Sequence, residues 1–406
     1  LTITQLAGDL TVNGIDSTGT VTLDAQVATL VIDGDISAGD AVGLSGANGI
    51  DLGADITTTN DDVTFNDAVT LTANAQVGTG AGAGDITFTD TVDGGFALTL
   101  DAGTGDVDLQ GEAGGTTPLA SLTVDNATTA TFGADVTTVG AQDVTAGTIE
   151  TNGVHAVTGP GAIDFDGNLE LLAATTLDTS SGSVTVTGTI DGAHDLVIDA
   201  TGGIASLQDD IGSTTPLASL NVTASGPITF GGDVTTVGTQ TMTSSTVRTN
   251  GTHTTTDSDI TVNGSLTLLG NTVLDTGAGA GDVTVTGVTN GAFDLEISAG
   301  TGDVLFQSTV TSLASLTINS ATNATFDGMV VGTGPQDITA DLIYVGANHS
   351  TNNSDIRLNG NVELRSFTSL STGVGAGDLL VTGTIDGAHS LLISAGTGDA
   401  EVQGEI

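Results

Sequence analysis

The stretch DITFTDTV, residues Asp85–Val92, alternates apolar and polar side chains from one position to the next. The same alternation returns in SVTVTGTI at Ser183–Ile190 and in DVTVTGVT at Asp282–Thr289. A period of two is typical of a β-strand with one buried face. Such stretches recur about every ten residues, separated by Gly, Asn and Asp and without a helical period between them. The pattern predicts an all-β protein built from many short strands.

Composition points the same way. The chain has 406 residues, of which 60 are Gly, 10 are Phe, one is Tyr and none is Trp. Length alone would suggest two or three globular domains, although one repetitive structure can run longer. A chain so poor in aromatic residues is badly suited to a compact core of large side chains, whereas abundant Val and Thr fit pleated strands and Gly and Asp fit corners.

The short strands belong to a longer sequence repeat of about 98 residues. The motif DGGFALTLDAGTGD from Asp93 returns as DGAHDLVIDATGG from Asp191, NGAFDLEISAGTGD from Asn290 and DGAHSLLISAGTGD from Asp386, at steps of 98, 99 and 96 residues. TTPLASLTV from Thr116 likewise returns 98 residues later as TTPLASLNV. The sequence therefore predicts superrepeats at about 1–93, 94–191, 192–290 and 291–386, with a partial copy at 387–406.

The length of one coil follows from equivalent aspartates. Asp85 in GAGAGDITF and Asp106 in AGTGDVDLQ are 21 residues apart, and the same step recurs in two later superrepeats. A coil of about 20 residues, five to a superrepeat, predicts a single continuous β-solenoid over residues 1–406 with about 20 coils. Stacked at about 4.8 Å, these coils would make a rod on the order of 100 Å long. Because parallel crossovers are overwhelmingly right-handed, we expect a right-handed parallel β-helix.

Long runs such as LTLDAGTGDV, ATFGADVTTVGAQ and GSVTVTGTIDGAHDL resemble the repeats of very large secreted bacterial adhesins of the filamentous-haemagglutinin and autotransporter-passenger type. The resemblance covers nearly the whole chain. It implies a parallel β-helix that is exported, lies outside the cell in association with its surface, and serves as a stalk, adhesin or extracellular fibre.

Charge excludes several classes of partner. Lys and Arg total 3 against 49 Asp and Glu, a formal net charge of −46, and there is no Cys. Binding to nucleic acid or to an anionic membrane surface requires basic side chains that this chain lacks. No apolar run approaches the roughly 18 residues needed to cross a bilayer, so we expect no membrane insertion. Without Cys, disulfides and thiol chemistry are excluded.

Paired aspartates are the candidate metal ligands. If the members of a pair occupy equivalent corners of adjacent coils, their carboxylates lie about 5 Å apart beside Gly-rich turns that offer carbonyl oxygens. Such a site suits a hard cation, so Ca²⁺ is the candidate cofactor; the alternative is that these aspartates bond turn amides. The second superrepeat has Ser183 and Ile204 at the same positions. The candidate ligands are Asp85, Asp106, Asp282, Asp303, Asp378 and Asp399.

The histidines are interpreted through the repeat. His194 and His389 stand where other superrepeats have Phe96 and Phe293, which indicates a packing position. Three further histidines are equivalent to one another, but about five coils, or some 24 Å, would separate them, too far for one metal ion. These three are His155, His253 and His349.

Nothing in the sequence indicates catalysis. A lyase for acidic sugars needs basic groove residues, and the chain has three Arg and no Lys. Glycosidases need two carboxylates at a defined separation among sugar-binding side chains, and the doublets Asp61–Asp62 and Asp209–Asp210 have no such setting. No phosphate loop or nucleophile motif stands out. We therefore expect no enzyme.

The sequence favours a structural role. Both ends follow a strand pattern without a polar cap, which predicts either a piece of a longer rod or copies that stack end to end. Rods of this charge should repel at low salt and associate laterally when divalent cations screen or bridge them. The expected function is a shaft or filament subunit of a bacterial surface or biofilm-matrix fibre. The alternative is an adhesin that binds glycans or cell-surface receptors, with this chain as its stalk.

Overall fold

The computed structural model describes all residues from 1 to 406 and confirms a parallel β-solenoid. It has 44 strands and no helix, and about 19 turns with a spacing of about 21 residues. Every strand pairing is parallel, as in Ile86↔Val107 and Val42↔Val63. No helix able to span a lipid bilayer is present. The right-handed winding of the β-solenoid stays a prediction.

By its contacts the chain divides into two compact units, Leu1–Gln208 and Asp209–Ile406, so a single continuous domain also stays a prediction. The strands of the first unit are β1 Thr2–Gln5, β2 Leu10–Ser17, β3 Val21–Ala25, β4 Leu30–Ala38, β5 Val42–Gly46, β6 Ile50–Leu52, β7 Ile56–Thr57, β8 Val63–Phe65, β9 Val69–Leu71, β10 Ala75–Gly78, β11 Ile86–Phe88, β12 Val92–Asp93, β13 Ala97–Asp101, β14 Val107–Leu109, β15 Ser121–Asn126, β16 Thr129–Phe132, β17 Val136–Thr138, β18 Gln142–Val157, β19 Ile163–Thr179, β20 Val184–Val186, β21 Ile190–Asp191, β22 Asp195–Ala200 and β23 Ala205–Leu207.

The strands of the second unit are β24 Ser219–Ala224, β25 Ile228–Phe230, β26 Val234–Thr235, β27 Gln240–Thr254, β28 Ile260–Asp275, β29 Val283–Val285, β30 Thr289–Asn290, β31 Asp294–Ser298, β32 Val304–Phe306, β33 Val310–Thr311, β34 Ser315–Ser320, β35 Asn323–Phe326, β36 Val330–Val331, β37 Gln336–Val345, β38 His349–Ser350, β39 Ile356–Leu364, β40 Thr368–Ser371, β41 Leu379–Val381, β42 Ile385–Asp386, β43 Leu391–Ser394 and β44 Ala400–Val402.

Each unit consists of three parallel sheets, and each turn of the chain contributes one strand segment to every sheet. The inward positions of one sheet stack in register from turn to turn. In the second unit the three stacks include Ile211, Val234, His253, Leu274, Ile297, Ile318, Ile338, Leu358, Val381 and Val402; Val310, Val330, His349, Leu370 and Ile393; and Leu220, Gln240, Ile260, Val283, Val304, Ala324, Ile343, Val362 and Ile385.

The first unit has the same construction. Its three inward stacks include Ile86, Val107, Ala130, Ile149, Leu169 and Ile190; Leu98, Leu122, Gln142, Ile163, Val184 and Ala205; and Val69, Val92, Ala113, Val136, His155, Leu177 and Ile198.

The prediction of five coils to a superrepeat is wrong. From Leu295, four register steps through Leu316, Gln336 and Ile356 lead to Leu379. Two further strands of the same turn, β42 and β43, lead to Leu391. Leu391 lies 96 residues after Leu295 and is its equivalent in the next superrepeat. Because a turn has three strands, a superrepeat spans four and two-thirds turns. Equivalent residues of successive superrepeats therefore lie on different sheets, one third of a turn apart.

The interior is apolar and in register. Phe65 stacks on Phe88 with ring centroids 4.2 Å apart, and Phe306 stacks on Phe326 at 5.6 Å. Stacking identical side chains on successive turns buries each ring between neighbours of the same shape, which gives both apolar burial and favourable ring contacts. The alternation in the sequence therefore marks the inward face correctly.

Candidate functional site

The structure brings each predicted aspartate pair together. Asp85 and Asp106 immediately precede Ile86 and Val107, which are register partners, so the two aspartates occupy equivalent corners of adjacent turns. The residues that follow the other two pairs are also register partners. All six candidates thus lie at one kind of corner, where a Gly-rich turn leads into a strand.

At these corners each inner carboxylate accepts a hydrogen bond from the backbone of the next turn. Oδ1 of Asp282 accepts from the amide of Asp303 at 2.7 Å, and the amide of Asp282 itself donates to Oδ1 of Asp259 at 2.9 Å. The same chain of bonds joins Asp62, Asp85 and Asp106, and Asp355, Asp378 and Asp399. We call these three sets the aspartate ladders. Their first members, Asp62, Asp259 and Asp355, were missed as partners from the sequence.

The second superrepeat shows what the corner requires. There the amide of Ile204 donates to Oγ of Ser183 at 3.3 Å. A neutral hydroxyl therefore takes the place of the carboxylate, which favours the alternative that these side chains bond turn amides. No group of three or more His, Cys, Asp or Glu side chains that could hold a metal ion is present. Calcium at the ladders stays a prediction.

An acidic cleft of about 380 Å³ lies beside the first ladder. Asp108 and Glu150 add two carboxylates to those of Asp85 and Asp106 along its walls. Both of these carboxylates already accept hydrogen bonds from neutral donors. Gln110 donates to Oδ2 of Asp108 at 2.7 Å, and a threonine hydroxyl donates to Glu150 at 3.0 Å. The cleft concentrates negative charge without any basic residue.

Stacking in register also places like charges on one another. Glu150 and Glu170 are register partners, and burial raises the pKa of Glu170, with Asp191 and Glu150 raising it further. Burial likewise raises the pKa of Asp143, whose register partner Asp164 adds to the effect. The folded state therefore holds carboxylates closer together than they would lie in an unfolded chain, and cations in solution should stabilise it.

Three buried histidines form clusters that the sequence did not reveal. Nδ1 of His155 lies 2.8 Å from Oε1 of Gln142, whose Nε2 donates to the carbonyl oxygens of Val136 and Ala156. Since the glutamine oxygen must accept, Nδ1 carries the proton and Nε2 is the acceptor. Oγ1 of Thr151, 2.7 Å away, donates to it. The imidazole is thus neutral and fully satisfied.

The same cluster recurs around His253 with Gln240 and Thr249. Around His349 it is incomplete, because Val345 stands where the other copies have threonine and Nε2 has no partner. Burial lowers the pKa of His155 to about 3 and the pKa of His253 and His349 to about 4. These are structural groups, each inside its own section of the solenoid.

We expect Val345→Thr to raise the free energy of unfolding by about 1 kcal/mol, because the new hydroxyl would donate to Nε2 of His349. Thr249→Val is the matched reverse change and should lower it by about 1–3 kcal/mol, because it leaves Nε2 of His253 without its donor. Urea unfolding followed by circular dichroism measures both. A loss of stability in both variants would contradict this account of the third cluster.

The interpretation of His389 as a packing position is wrong, because this residue is exposed, whereas His194 is half-buried. Phe96 and Phe293, their equivalents, are 38% and 37% exposed. This residue lies two positions before the first inward residue of a strand, as Phe96 does before Leu98, and it belongs to the turn that precedes the strand. The exposed rings of Phe96, Phe293 and His389 are available to a partner.

The three arginines do not form a basic groove. Arg357 pairs with its neighbour Asp355 at 2.9 Å, and the guanidinium of Arg365 lies 3.6 Å from the ring centroid of Tyr344. A cleft of about 570 Å³ in the second unit is lined by small and amide side chains with Asp341 as its single carboxylate. Neither place assembles a nucleophile with a base.

No family model, no curated protein and no solved structure matches this chain. The fold is compatible with β-helix repeat proteins, and that compatibility extends to architecture alone.

Proposed function

We propose that this chain is a non-enzymatic structural protein, a solenoid shaft or filament subunit of an extracellular bacterial surface or matrix fibre. The observation that carries the proposal is the uniformity of each unit. One three-stranded turn follows another in parallel register, with short corners and no inserted domain. A solenoid of this kind transmits load along the stack of turns, because its interstrand hydrogen bonds run in that direction.

The surface supports a role in an assembly that responds to cations. A net charge of −46, stacked in register on three sheets, opposes contact between copies at low ionic strength. Divalent cations relieve this repulsion more strongly than sodium at equal concentration, since screening grows with the square of ionic charge. We infer that copies associate laterally when calcium or magnesium is present, and that the ladders are where calcium acts most.

The test is electron microscopy and light scattering of the purified chain in sodium, magnesium or calcium, and again after chelation. We expect dispersed particles in dilute sodium and lateral bundles in calcium that disperse on chelation. Assembly that ignores calcium, magnesium and ionic strength alike would overturn the proposal.

Two variants of equal net charge test whether calcium causes bundling by binding at the aspartate ladders. The ladder variant carries Asn at the six predicted aspartates and keeps every Oδ1 acceptor, so it should fold. The control carries Asn at six exposed aspartates away from the ladders, which are Asp16, Asp33, Asp40, Asp125, Asp327 and Asp341. A ladder site predicts that only the ladder variant needs more calcium to bundle. Equal effects in both variants would assign bundling to general screening and remove calcium from the ladders.

A further inference from the structure

One position carries a ring in every superrepeat, exposed in three copies and half-buried in the fourth. The turns DGGF, DGAH, NGAF and DGAH place Phe96, His194, Phe293 and His389 at the same point. Seven of the ten phenylalanines are almost completely buried; Phe96 and Phe293 are exposed at this turn, and Phe367, elsewhere, is 57% exposed. We call these four positions the aromatic corners.

The turn holds the ring-bearing residue in place. The amide of Phe96 donates to the carbonyl of Gly94 at 2.8 Å, and His194 makes the same bond to Gly192. Gly94 has φ of +120°, and a Cβ there would overlap the carbonyl oxygen of Leu71. Because the backbone of the turn is ordered, only the side-chain rotamer of the ring has to be fixed on binding, which favours recognition.

Polar groups flank the ring at the two phenylalanine corners. Oδ1 of the exposed Asn74 accepts from the amide of Ala97, next to Phe96, and Oδ1 of Asn271 accepts from the amide of Asp294, next to Phe293. Each bond leaves the amide NH₂ as the donor of that asparagine. At the second corner the Asp294 carboxylate adds a negative charge, and Ser315 donates to it.

The repeat geometry distributes the corners around the solenoid. In the first unit, Phe96 precedes β13 and His194 precedes β22, and these strands belong to different sheets. In the second unit the same holds for β31 and β43. Four and two-thirds turns separate each pair, an axial advance of about 22 Å. A long flexible ligand could engage successive corners only by winding around each unit.

We propose that the aromatic corners bind a polysaccharide whose sugars carry protonated amino groups. A ring and an amide donor, joined at Phe293 by a carboxylate, suit an amino sugar, since the ring face attracts the ammonium and packs against the ring hydrogens of the sugar. The net charge of −46 attracts a polycation over a distance and rejects acidic glycans. This inference goes beyond the structural role and does not depend on it.

The test is calorimetric titration of the full chain with oligoglucosamine, with its N-acetylated form and with oligolysine of equal length. The double variant Phe96→Ala and Phe293→Ala should bind oligoglucosamine about tenfold more weakly and should lose less affinity for oligolysine, which offers the ring an ammonium but no sugar ring to pack on it. The matched control is Leu172→Ala with Leu269→Ala, because these leucines are 46% and 47% exposed at another repeated position. It should bind both ligands as the parent chain does.

Three results would overturn the proposal. The first is unchanged oligoglucosamine affinity in the phenylalanine variant. The second is equal weakening in the leucine control, which would mean a general loss of apolar surface. The third is equal affinity for oligolysine and oligoglucosamine with equal loss in salt, which would mean attraction by charge alone. Circular dichroism of each variant checks that the fold is retained.

Discussion

Acidification from pH 7 to pH 4 should lower the contribution of the three buried histidines to the free energy of unfolding by about 9 kcal/mol, or about 3 kcal/mol for each. Their pKa values in the folded chain are about 3, 4 and 4, against an ordinary value of 6.5. Above pH 6.5 the histidines are neutral in both states and contribute no pH dependence. Between pH 6.5 and about 4 only the unfolded chain binds these protons, so stability falls as the pH falls.

The carboxylates act in the opposite direction. Four of them have a pKa raised chiefly by burial and further by neighbouring carboxylates, so the folded chain binds their protons first and acidification relieves their repulsion. They are Asp51, Asp143, Glu170 and Asp178. A comparison between variants is therefore needed to isolate the histidines.

The variant that isolates one cluster is Gln240→Leu, Thr249→Val and His253→Leu. Leucine fits the inward stacks, since Gln240 lies between Leu220 and Ile260 and His253 lies between Val234 and Leu274. Urea unfolding at a series of pH values should show about 3 kcal/mol less loss between pH 7 and pH 4 than in the parent chain. The readout is this difference, whatever the stability at pH 7. An unchanged pH dependence would show that His253 does not resist protonation.

Gly264→Ala should destabilise the second unit by about 3 kcal/mol or more. Gly264 has φ of +147°, and a Cβ there would overlap the carbonyl oxygen of Ser244 on the preceding turn. Alanine would have to separate neighbouring turns that share backbone hydrogen bonds. Gly167 and Gly360 hold the same position over Ala146 and Ala340, so the effect should recur in three of the four superrepeats, while the first has Asp67 there.

The matched control is Gly332→Ala in the same unit. At Gly332 the nearest atom to an added Cβ is 3.5 Å away, which is ordinary contact. The change should alter stability by less than about 1 kcal/mol, since alanine there only restricts the unfolded chain. Thermal unfolding by circular dichroism compares the two. Equal melting temperatures for both variants would show that the turns can separate without cost.

The fold was predictable because strand alternation and corner composition are local signals. Period two in segments such as Asp85–Val92 marked the inward face, and the step from Asp85 to Asp106 matched one turn. The number of turns in a superrepeat was not predictable from that step. Register partners are 23 residues apart for Val63 and Ile86 but 19 apart for Ala130 and Ile149. The spacing of one pair therefore does not give the average number of residues in a turn.

The candidate site was only partly predictable. Equivalence in the repeat placed Asp282 beside Asp303 correctly, because corners stack as strands do. It could not show that Gln142 reaches His155, since 13 residues and a bend of the chain separate them. Equivalence also misled at Phe96. A repeated aromatic suggests packing when its neighbours are unknown, and only the turn geometry shows that the ring faces solvent.

The fractional number of turns has a consequence for how such a chain can change length. Gene duplication or unequal recombination that adds 98 residues inserts 14 strand segments. This is a whole number of strands, although it is four and two-thirds turns. Every later strand still meets a partner of the same apolar type, because the three sheets carry similar inward residues. Copy number can therefore drift without breaking the interior, while each added copy points its surface in a new direction.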